Sequence, residues 1–401
     1  MENPGGAWFF LSNSYPLPTF ALMNQFSSGF TLGILGGGQL GKMLLNVANR
    51  MDVRTKVLDP QTDSPCRYLC DEFVLGDFRD LKTVLDFGQN CDTITVEIEQ
   101  VNVGALRNLT KSGKSVLPTA DVLEVIQNKI KQKEFYLKHE IPTASFSSYT
   151  GKAGLHSMLS GYPTVQKSAT MGYDGRGVVI LRSAEDLARV ADVPGIVEEY
   201  IADAIEIAVI VARRSSGEMK CFPPVRMEFN PAANLVEFVS CPAGLDEKIL
   251  EKANVIALKT ANAFQVCGLL AIEMFVKSDG EVIVNESAPR PHNSGHITIE
   301  ANYTSQYEQH LRAILNLPLG DTRLRSPAVM VNLLGEPGYS GSPLYKGIDE
   351  VLALQGASVH IYGKQETRPF RKMGHVTILG ETIQEAREKA IFVRQRLKVI
   401  A

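Results

Sequence analysis

The sequence lacks several features that would assign it at once to a class of protein. None of its six cysteines stands in a CxxC pair, which argues against a zinc site and a disulfide framework and is typical of the reducing cytoplasm. No run of Lys and Arg forms a strong basic patch, and the formal net charge of -3 argues against a general nucleic-acid binder. No segment reaches membrane-spanning length, so we expect a cytoplasmic globular protein without a membrane partner.

The first 28 residues contain no Lys or Arg, so they lack the positively charged start of a signal peptide. We expect a poorly ordered extension over 1–28, with Met23 as an alternative start. The whole chain has 401 residues, 44% of them hydrophobic and 21% charged, which is ordinary for a globular enzyme of two or three domains.

Apolar strands alternate with helical stretches from residue 30 onward, which favours a parallel sheet with helices on both faces. The turn Gly36-Gly-Gly-Gln-Leu-Gly41 precedes a helix predicted at Lys42–Met51, and it fits the GxGxxG spacing of a dinucleotide fingerprint, with Asp59 at the end of the next strand. The glycines themselves predict only an anion site at a helix N-terminus, and a structural turn without a ligand is the alternative. The strands are predicted at Phe30–Leu35, Thr55–Asp59, Glu72–Leu75, Asp92–Ile98 and Ser115–Leu117.

Two acidic residues, Glu97 and Glu99, close the fourth of these strands at its carboxyl end, where open α/β sheets bind ligands. A solvated edge of charge explains them equally well. Ala120–Glu140 reads as one long helix that Ile141-Pro142 ends. Its lysines should be mostly solvated, although the first could reach a cleft: Lys129, Lys131, Lys133 and Lys138.

A glycine-rich loop follows the short predicted strand Thr164–Lys167. Gly172, Gly175 and Gly177 surround the cationic Arg176, which indicates a mobile loop whose amides fold over phosphates; a plain hairpin loop is the alternative. The next predicted strands are Val178–Leu181, Ile196–Ile201 and Glu206–Val211, and the second of them places Glu198 to Ile201 where backbone groups can meet a base.

The strongest signal of a site is a hairpin that ends in a row of polar residues. A helix at Leu245–Gly268 leads into it, and Ser278-Asp279-Gly280 separates two apolar strands, as in a hairpin turn. If Asp279-Gly280 is a two-residue loop, Glu273 lies opposite Glu286 with Cβ atoms roughly 5 Å apart. Facing carboxylates repel unless a proton or a cation lies between them, and oxygen ligands beside Asn285 suit Mg²⁺ holding nucleotide phosphates. The alternative is that one Glu leans into solvent from an edge strand.

The remaining chain supplies a basic segment between two strands. Lys364, Arg368, Arg371 and Lys372, partly offset by Glu366, predict a phosphate cradle, and a basic surface turn is the alternative. Around this segment we predict a helix from His296 to Leu317, strands at Pro327–Leu334, Ser358–Tyr362 and His375–Leu379, and a final helix at Glu381–Val399.

Four motifs between Thr31 and Leu397 resemble the ATP-grasp superfamily, and more narrowly the N5-carboxyaminoimidazole ribonucleotide synthetases. The resemblance implies an α/β (α+β ATP-grasp) fold with an N-terminal Rossmann-like parallel sheet, a central lid domain and a C-terminal mixed-sheet domain. We place these domains at 29–128, 129–200 and 201–401. The motifs are Gly36-Gly-Gly-Gln-Leu-Gly41, Gly172-Tyr-Asp-Gly-Arg-Gly177, Asn285-Glu-Ser-Ala-Pro-Arg-Pro-His-Asn-Ser-Gly-His296 and Arg371-Lys-Met-Gly-His375, the last two being specific to this branch.

The resemblance also implies an activity and a set of roles. ATP, with Mg²⁺, would phosphorylate bicarbonate to carboxyphosphate, and the carboxyl group would pass to the exocyclic amine of aminoimidazole ribonucleotide in a homodimeric enzyme. Lys129 and Lys167 would hold the ATP phosphates, and Glu206 would bind the ribose. The other implied contacts are the lid Gly172, Tyr173, Asp174, Gly175, Arg176 and Gly177; the adenine segment Glu198, Glu199, Tyr200 and Ile201; the metal ligands Glu273 and Glu286 beside Asn285; Asp174, Arg176, Arg290, His292, Asn293 and Ser294 at carboxyphosphate or the amine; and Gly38, Gln39, Lys364, Arg371 and Lys372 at the nucleotide substrate.

The chain departs from the family pattern at a few positions. Phe370 stands where the family usually has Gly, Val178 replaces a common Gln, and Lys129 occupies a site often taken by Arg. A formate-using glycinamide ribonucleotide transformylase would share the magnesium hairpin, but Pro291–His296 favours the carboxylating branch. A nicotinamide-dependent dehydrogenase would leave the Glu pair unexplained, and a non-catalytic scaffold would need no convergent cations and carboxylates.

Overall fold

The computed structural model describes residues 25–26, 29–170, 177–230 and 235–401. Most of the expected N-terminal extension and the lid residues Gly172 to Arg176 lie outside this part of the chain. Within it, no helix is both long and apolar enough to cross a membrane.

The N-terminal sheet is parallel throughout and has the strand order β3-β2-β1-β4-β5. Residues of β1 alternate between two cores, because Leu32 and Ile34 pack with α1 whereas Leu35 packs with α2 and α3. The predicted sheet is therefore confirmed, with helices on both faces. Its elements are β1 Leu32–Leu35, α1 Gln39–Arg50, β2 Thr55–Asp59, β3 Glu72–Leu75, α2 Leu81–Gly88, β4 Thr93–Val96, α3 Val103–Lys111 and β5 Ser115–Val116.

The single helix predicted at Ala120–Glu140 is wrong, because the chain forms α4 Ala120–Ile126 and α5 Lys129–Lys138. Asn128 adopts extended backbone angles between them, and its side-chain oxygen accepts hydrogen bonds from the amides of Ile130 and Lys131. A side-chain cap of this kind starts a new helix.

The central sheet is antiparallel, with strand order β6-β9-β7-β8. Tyr149, Leu155 and Leu181 belong to the apolar cluster that packs against it. Its elements are β6 Phe146–Tyr149, α6 Lys152–Met158, β7 Thr164–Ser168, β8 Val178–Leu181 and β9 Gly195–Glu199, with a 3₁₀ helix at Ala184–Arg189.

The C-terminal sheet has nine strands in the order β15-β14-β10-β12-β13-β16-β19-β18, with β11 paired to β10. Within the described residues, every pair of neighbouring strands in this sheet is antiparallel. This differs from the mixed sheet that the resemblance implied. The strands are β10 Ile205–Arg213, β11 Met219–Cys221, β12 Val225–Asn230, β13 Leu235–Cys241, β14 Gly268–Val276, β15 Val282–Ala288, β16 Ala328–Leu334, β18 Ala357–Ile361 and β19 Lys372–Leu379.

Helices cover this sheet, and two short strands pair beside it. The helix predicted from His296 to Leu317 is wrong in extent, because Ser305 caps a separate helix by accepting a hydrogen bond from the amide of Glu308. The elements are α7 Glu247–Phe264, a 3₁₀ turn at Asn293–Gly295, α8 Thr298–Ala301, α9 Gln306–Ile314, β17 Leu344–Lys346, α10 Ile348–Leu352, α11 Ile383–Arg396 and β20 Lys398–Ile400.

Candidate active site

The hairpin of β14 and β15 places Glu273 directly opposite Glu286, as predicted, but by a different route. Lys277 donates its amide to the carbonyl of Glu281, and Gly280 has a φ of 80°, so the loop has three residues and not two. The register beside the loop is therefore displaced by one residue. A β-bulge, which leaves Asn285 without a ladder partner, restores the register at the Glu pair.

Each of the facing carboxylates has a different cationic or polar neighbour. Lys129 forms an ion pair with Glu286, and the Nε2 atom of His292 lies 3.5 Å from a carboxylate oxygen of Glu273. Lys129 holds the pKa of Glu286 well below its usual range, whereas burial and the charge of Glu286 raise the pKa of Glu273. The pair thus holds one carboxylate that ionises readily and one that favours a proton or a cation.

Lys167 lies beside this pair on β7. Its ammonium is 2.7 Å from a carboxylate oxygen of Glu198 and donates to the side-chain oxygen of Asn285, also at 2.7 Å. The bulge therefore aims Asn285 at Lys167. Lys129, Lys167 and the Glu pair form one polar wall between the central and C-terminal sheets.

The predicted adenine segment begins at the end of β9. Glu198 is buried and its carboxylate pairs with Lys167 and Lys133, so its side chain is already engaged within the protein. Glu199 ends the strand, and Tyr200 and Ile201 lead towards β10. Glu206 follows on β10, where burial raises its pKa to about 7.

The glycine turn after β1 holds two carboxylates of the chain itself. Asp59 accepts a hydrogen bond from the amide of Gly37 at 2.7 Å, and Glu97 accepts one from the amide of Leu40 at 3.1 Å. A Cβ atom on Gly38 would lie 2.5 Å from an oxygen of Glu97. Intramolecular carboxylates therefore fill the anion site that the glycine spacing predicts, and α1 already begins at Gln39.

Arg290 connects this turn with the hairpin. Its guanidinium lies 2.7 Å from Glu99, and its charge opposes the rise that burial gives the pKa of Glu97. Lys364 acts on Glu97 in the same direction, so the basic segment also approaches the glycine turn. Glu97 and Glu99 are thus part of the site and not merely a solvated edge.

The residues after Arg290 are tightly organised. His292 accepts a hydrogen bond from the amide of Ser294 through Nδ1, so a neutral ring carries its proton on Nε2, which faces Glu273. Asn293 exchanges two side-chain hydrogen bonds with Asn332, at 2.9 and 2.8 Å. Ser294 is fully buried.

The basic segment surrounds a turn with an unusual residue. Lys364 donates to the carbonyl of Lys372 at 2.8 Å, and Arg371 donates to the carbonyl of Glu366 at 2.8 Å. Lys372 begins β19 and opposes the rise in the pKa of Glu273, which places it on the side of the Glu pair. Phe370 has a φ of 63°, a region that favours glycine.

Sequence reasoning missed two residues of this region. Lys133 is only 2% exposed, although most lysines of its helix were expected to be solvated. Its spacing of four residues from Lys129, which puts both on one helix face, was the available signal. Asn332, the partner of Asn293, had no signal because it lies within an ordinary apolar strand.

Comparison with known proteins agrees with this geometry. The ribonucleotide synthetase preATP-grasp domain model matches residues 30–127, the ATP-grasp domain model 134–307, and the phosphoribosylaminoimidazole carboxylase C-terminal domain model 328–389. The N5-carboxyaminoimidazole ribonucleotide synthase of Bacillus subtilis is 36% identical over 374 residues, covering 90% of this chain and 95% of that protein. The chain belongs to the N5-carboxyaminoimidazole ribonucleotide synthetase family.

Solved structures of this family share the fold. The Thermotoga maritima synthetase has a TM-score of 0.85 at 42% identity, covering 93% of this chain and 99% of that chain. An Aspergillus clavatus synthase in complex with ADP and 5-aminoimidazole ribonucleotide has a TM-score of 0.83 at 32% identity, covering 92% of this chain and 99% of that chain. The ATP-grasp fold is therefore confirmed, and the dehydrogenase and scaffold alternatives are rejected.

Longer relatives also match. The chain spans 64% to 69% of the length of the phosphoribosylaminoimidazole carboxylases of Vigna aconitifolia and several yeasts.

Proposed function

We propose that this chain carboxylates the exocyclic amine of 5-aminoimidazole ribonucleotide with bicarbonate, at the expense of ATP. A bicarbonate oxygen would attack the γ-phosphorus and release ADP. The amine nitrogen would then bond to the carbon of carboxyphosphate, releasing phosphate and one proton from the nitrogen. One observation carries the proposal: the segment from Asn285 to Ser294 connects two sets of charged groups. The first is the polar wall of Lys129, Lys167 and the Glu pair, which suits nucleotide phosphates and a cation. The second is the site at Arg290 and the glycine turn.

The nucleotide half of the site would bind ATP through the groups on this wall. Lys129 and Lys167 would hold the phosphates, Glu198 to Ile201 would present backbone groups to adenine, and Glu206 would bind the ribose. The lid Gly172 to Gly177, with Asp174 and Arg176, would close over the phosphates.

The facing carboxylates fit a divalent cation. Glu273 and Glu286 are hard oxygen ligands on one face of the hairpin, and burial, with the charges of Glu286 and Glu206, raises the pKa of Glu273. When bound, Mg²⁺ would neutralise phosphate oxygens and so admit an anionic nucleophile. Asn285 would support the site through its hydrogen bond to Lys167.

The reacting groups would meet beside His292. Its Nε2–H is a hydrogen-bond donor near Glu273, and Arg290 is a fixed cation on the other side of the same segment. These two residues would orient carboxyphosphate, while Asn293 and Ser294 would hold the backbone of the turn through their buried contacts.

The substrate half would bind the ribonucleotide in two parts. Because Asp59 and Glu97 use amides of the glycine turn, the phosphate would rest on the side chains of Lys364, Arg371 and Lys372. Gly38 and Gln39 would then border the rest of the nucleotide. We further propose a cytoplasmic homodimer, from the cysteine usage and the family resemblance respectively.

An assay of ADP release tests the proposal. Turnover should require both aminoimidazole ribonucleotide and bicarbonate, and ¹³C from labelled bicarbonate should appear on the exocyclic nitrogen of the product. Turnover with glycinamide ribonucleotide and formate instead would favour the transformylase alternative. ADP release that is unchanged when the ribonucleotide and bicarbonate are omitted would contradict the proposal.

A further inference from the structure

A buried lysine outside the proposed ligand-binding set, Lys133, is joined to the nucleotide site. Its ammonium lies 2.8 Å from one carboxylate oxygen of Glu198, and the ammonium of Lys167 lies 2.7 Å from the other. The side chains of these three residues are 2%, 3% and 9% exposed. One carboxylate thus holds two lysines, of which only Lys167 has a proposed role towards ATP.

A second set of contacts connects Lys133 with the metal-binding hairpin. Lys133 donates to the hydroxyl of Thr143 at 2.5 Å, and that hydroxyl donates to the carbonyl of Val284 at 2.7 Å. Lys167 donates to Asn285, the neighbour of Val284, at 2.7 Å. The contacts close into a ring of six residues, which we call the inter-sheet ring: Lys133, Glu198, Lys167, Asn285, Val284 and Thr143.

The inter-sheet ring spans the cleft between two sheets. Glu198 and Lys167 lie on the central sheet, whereas Val284 and Asn285 lie on β15 at the edge of the C-terminal sheet. Lys133 extends from α5 and contacts both sides, directly at Glu198 and through Thr143 at Val284. Its position therefore links Lys167 to the strand that carries Glu286.

Glu198 has two carboxylate oxygens, and each contacts a different lysine. This arrangement determines how many hydrogens of the Lys167 ammonium remain for another acceptor. A lysine ammonium has three hydrogens. Within the described residues Lys167 donates one to Asn285 and forms an ion pair with Glu198. If a second hydrogen is directed at Glu198, the third is left for a further acceptor. Without Lys133, both oxygens of Glu198 would be available to Lys167 and would compete with that acceptor.

The carboxylate of Glu198 explains why Lys133 remains a cation. Burial lowers its pKa to about 8, Glu198 opposes this effect, and Lys167 and Lys129 add to it. At neutral pH the ammonium form still predominates, and Glu198 is the carboxylate that holds it. Burying a charge without such partners is unfavourable, so the ring explains the burial of Lys133.

We propose that Lys133 is a positioning residue for the nucleotide site, which sets the third hydrogen of Lys167 towards the ATP phosphates by occupying one oxygen of Glu198. This inference rests on the proposed function of the site in binding ATP. It assigns Lys133 no contact with ATP itself.

The test compares Lys133→Met with Lys131→Met. Met removes the ammonium and retains most of the apolar side chain, and Lys131 is a matched control because it lies on the same helix but is exposed and pairs with Glu124. We expect Lys133→Met to raise the KM for ATP and the Kd for ADP, the latter by calorimetry, by about 10- to 150-fold, as for a charge-assisted hydrogen bond lost in a shielded site. The KM for the ribonucleotide should change by less than about twofold, because the second site has its own cations.

A second variant covers the case in which Lys133→Met does not fold. Thr143→Val keeps both lysines and removes only the hydroxyl that connects Lys133 to Val284. It should raise the KM for ATP by about threefold to tenfold without changing the KM for the ribonucleotide, since a neutral hydrogen bond contributes less.

The outcomes separate the inference from the proposed function. If wild type turns over the ribonucleotide and both Lys133→Met and Thr143→Val bind nucleotide like Lys131→Met, the positioning role is overturned. An equal rise in both KM values would also overturn it, because general destabilisation does not distinguish the two substrates. A wild type that binds ADP but does not carboxylate the ribonucleotide would refute the proposed reaction and leave the nucleotide-binding test of Lys133 intact.

Discussion

The substitution Gly38→Ala tests whether Glu97 fills the glycine turn. Gly38 precedes α1 with a φ of -73°, which alanine also adopts, so the backbone itself does not require glycine here. The added Cβ would lie 2.5 Å from one oxygen of Glu97 and 3.2 Å from its carboxyl carbon. The carboxylate would have to move and release the amide of Leu40.

The size of the effect follows from that lost contact. A hydrogen bond to a charged group contributes about 1.5–3 kcal/mol. Alanine offsets about 0.4–1 kcal/mol of this loss, because it lowers the conformational entropy of the unfolded chain relative to glycine. We therefore expect Gly38→Ala to lower the free energy of unfolding by about 1–2 kcal/mol. The KM for the ribonucleotide should rise while the KM for ATP stays constant, because Glu97 lies beside Arg290 and not beside Lys167.

Denaturant unfolding of Gly38→Ala, Glu97→Ala and the double variant measures this directly. Once Glu97 is truncated, the new methyl group has space, so Gly38→Ala should be close to neutral in that background. Gly154→Ala, within α6, is the control, since a Cβ atom on Gly154 would have its nearest neighbour, the Cβ atom of Tyr149, 3.7 Å away. Equal destabilisation by Gly38→Ala with and without the Glu97 carboxylate would refute the reasoning.

Three further predictions concern the other parts of the site. Glu286→Gln should abolish ADP release with the fold intact, because the amide cannot match a carboxylate towards Mg²⁺, and near-wild-type turnover at limiting magnesium would contradict this. Arg371→Ala should raise the KM for the ribonucleotide by about 10- to 150-fold and leave that of the dephosphorylated riboside unchanged, whereas equal effects would remove Arg371 from the phosphate site. The pKa of Glu206 is raised from 4.5 to about 7, so the folded state keeps this proton up to a higher pH than the unfolded state does. The free energy of unfolding should therefore fall as the pH rises from about 4.5 to about 7. Glu206→Gln should flatten that part of the pH–stability curve, and an unchanged curve would exclude Glu206 as its cause.

The sequence predicted the N-terminal sheet well because most of its strands contain short groups of apolar residues between turns and helices. β2 and β3 have the predicted ends, since each run stops at a polar residue or a glycine. The helix over 120–140 was wrong because the helical pattern continues through Asn128. The hydrogen bonds of the Asn128 side chain, together with that of the Lys129 amide to the carbonyl of Ala169, mark the break between α4 and α5. A local capping contact thus outweighed the pattern of the surrounding residues.

The Glu273 and Glu286 pairing was predicted correctly although one assumption behind it was wrong. The two-residue loop assumed from Asp279-Gly280 is a three-residue loop, which alone would place Glu273 opposite Asn285. The bulge adds one residue on β15 and cancels that displacement. Bulges have no simple sequence signature, so the count from the loop could not have revealed that Asn285 turns towards Lys167.

Phe370 shows how a departure from the expected glycine is accommodated. Its φ of 63° lies in a region that favours glycine, since an L-residue in this region costs about 1–2 kcal/mol. Two hydrogen bonds hold the strained turn against the end of β16: Phe370 donates its amide to the carbonyl of Gly335, and Gly335 donates to the carbonyl of Arg371. A Cβ on Gly335 would lie 2.2 Å from the carbonyl oxygen of Arg368, so glycine is needed at 335 for this close approach. The backbone of Arg371 is therefore fixed by Gly335, and the presence of Phe370 gives no reason to remove Arg371 from the proposed phosphate site.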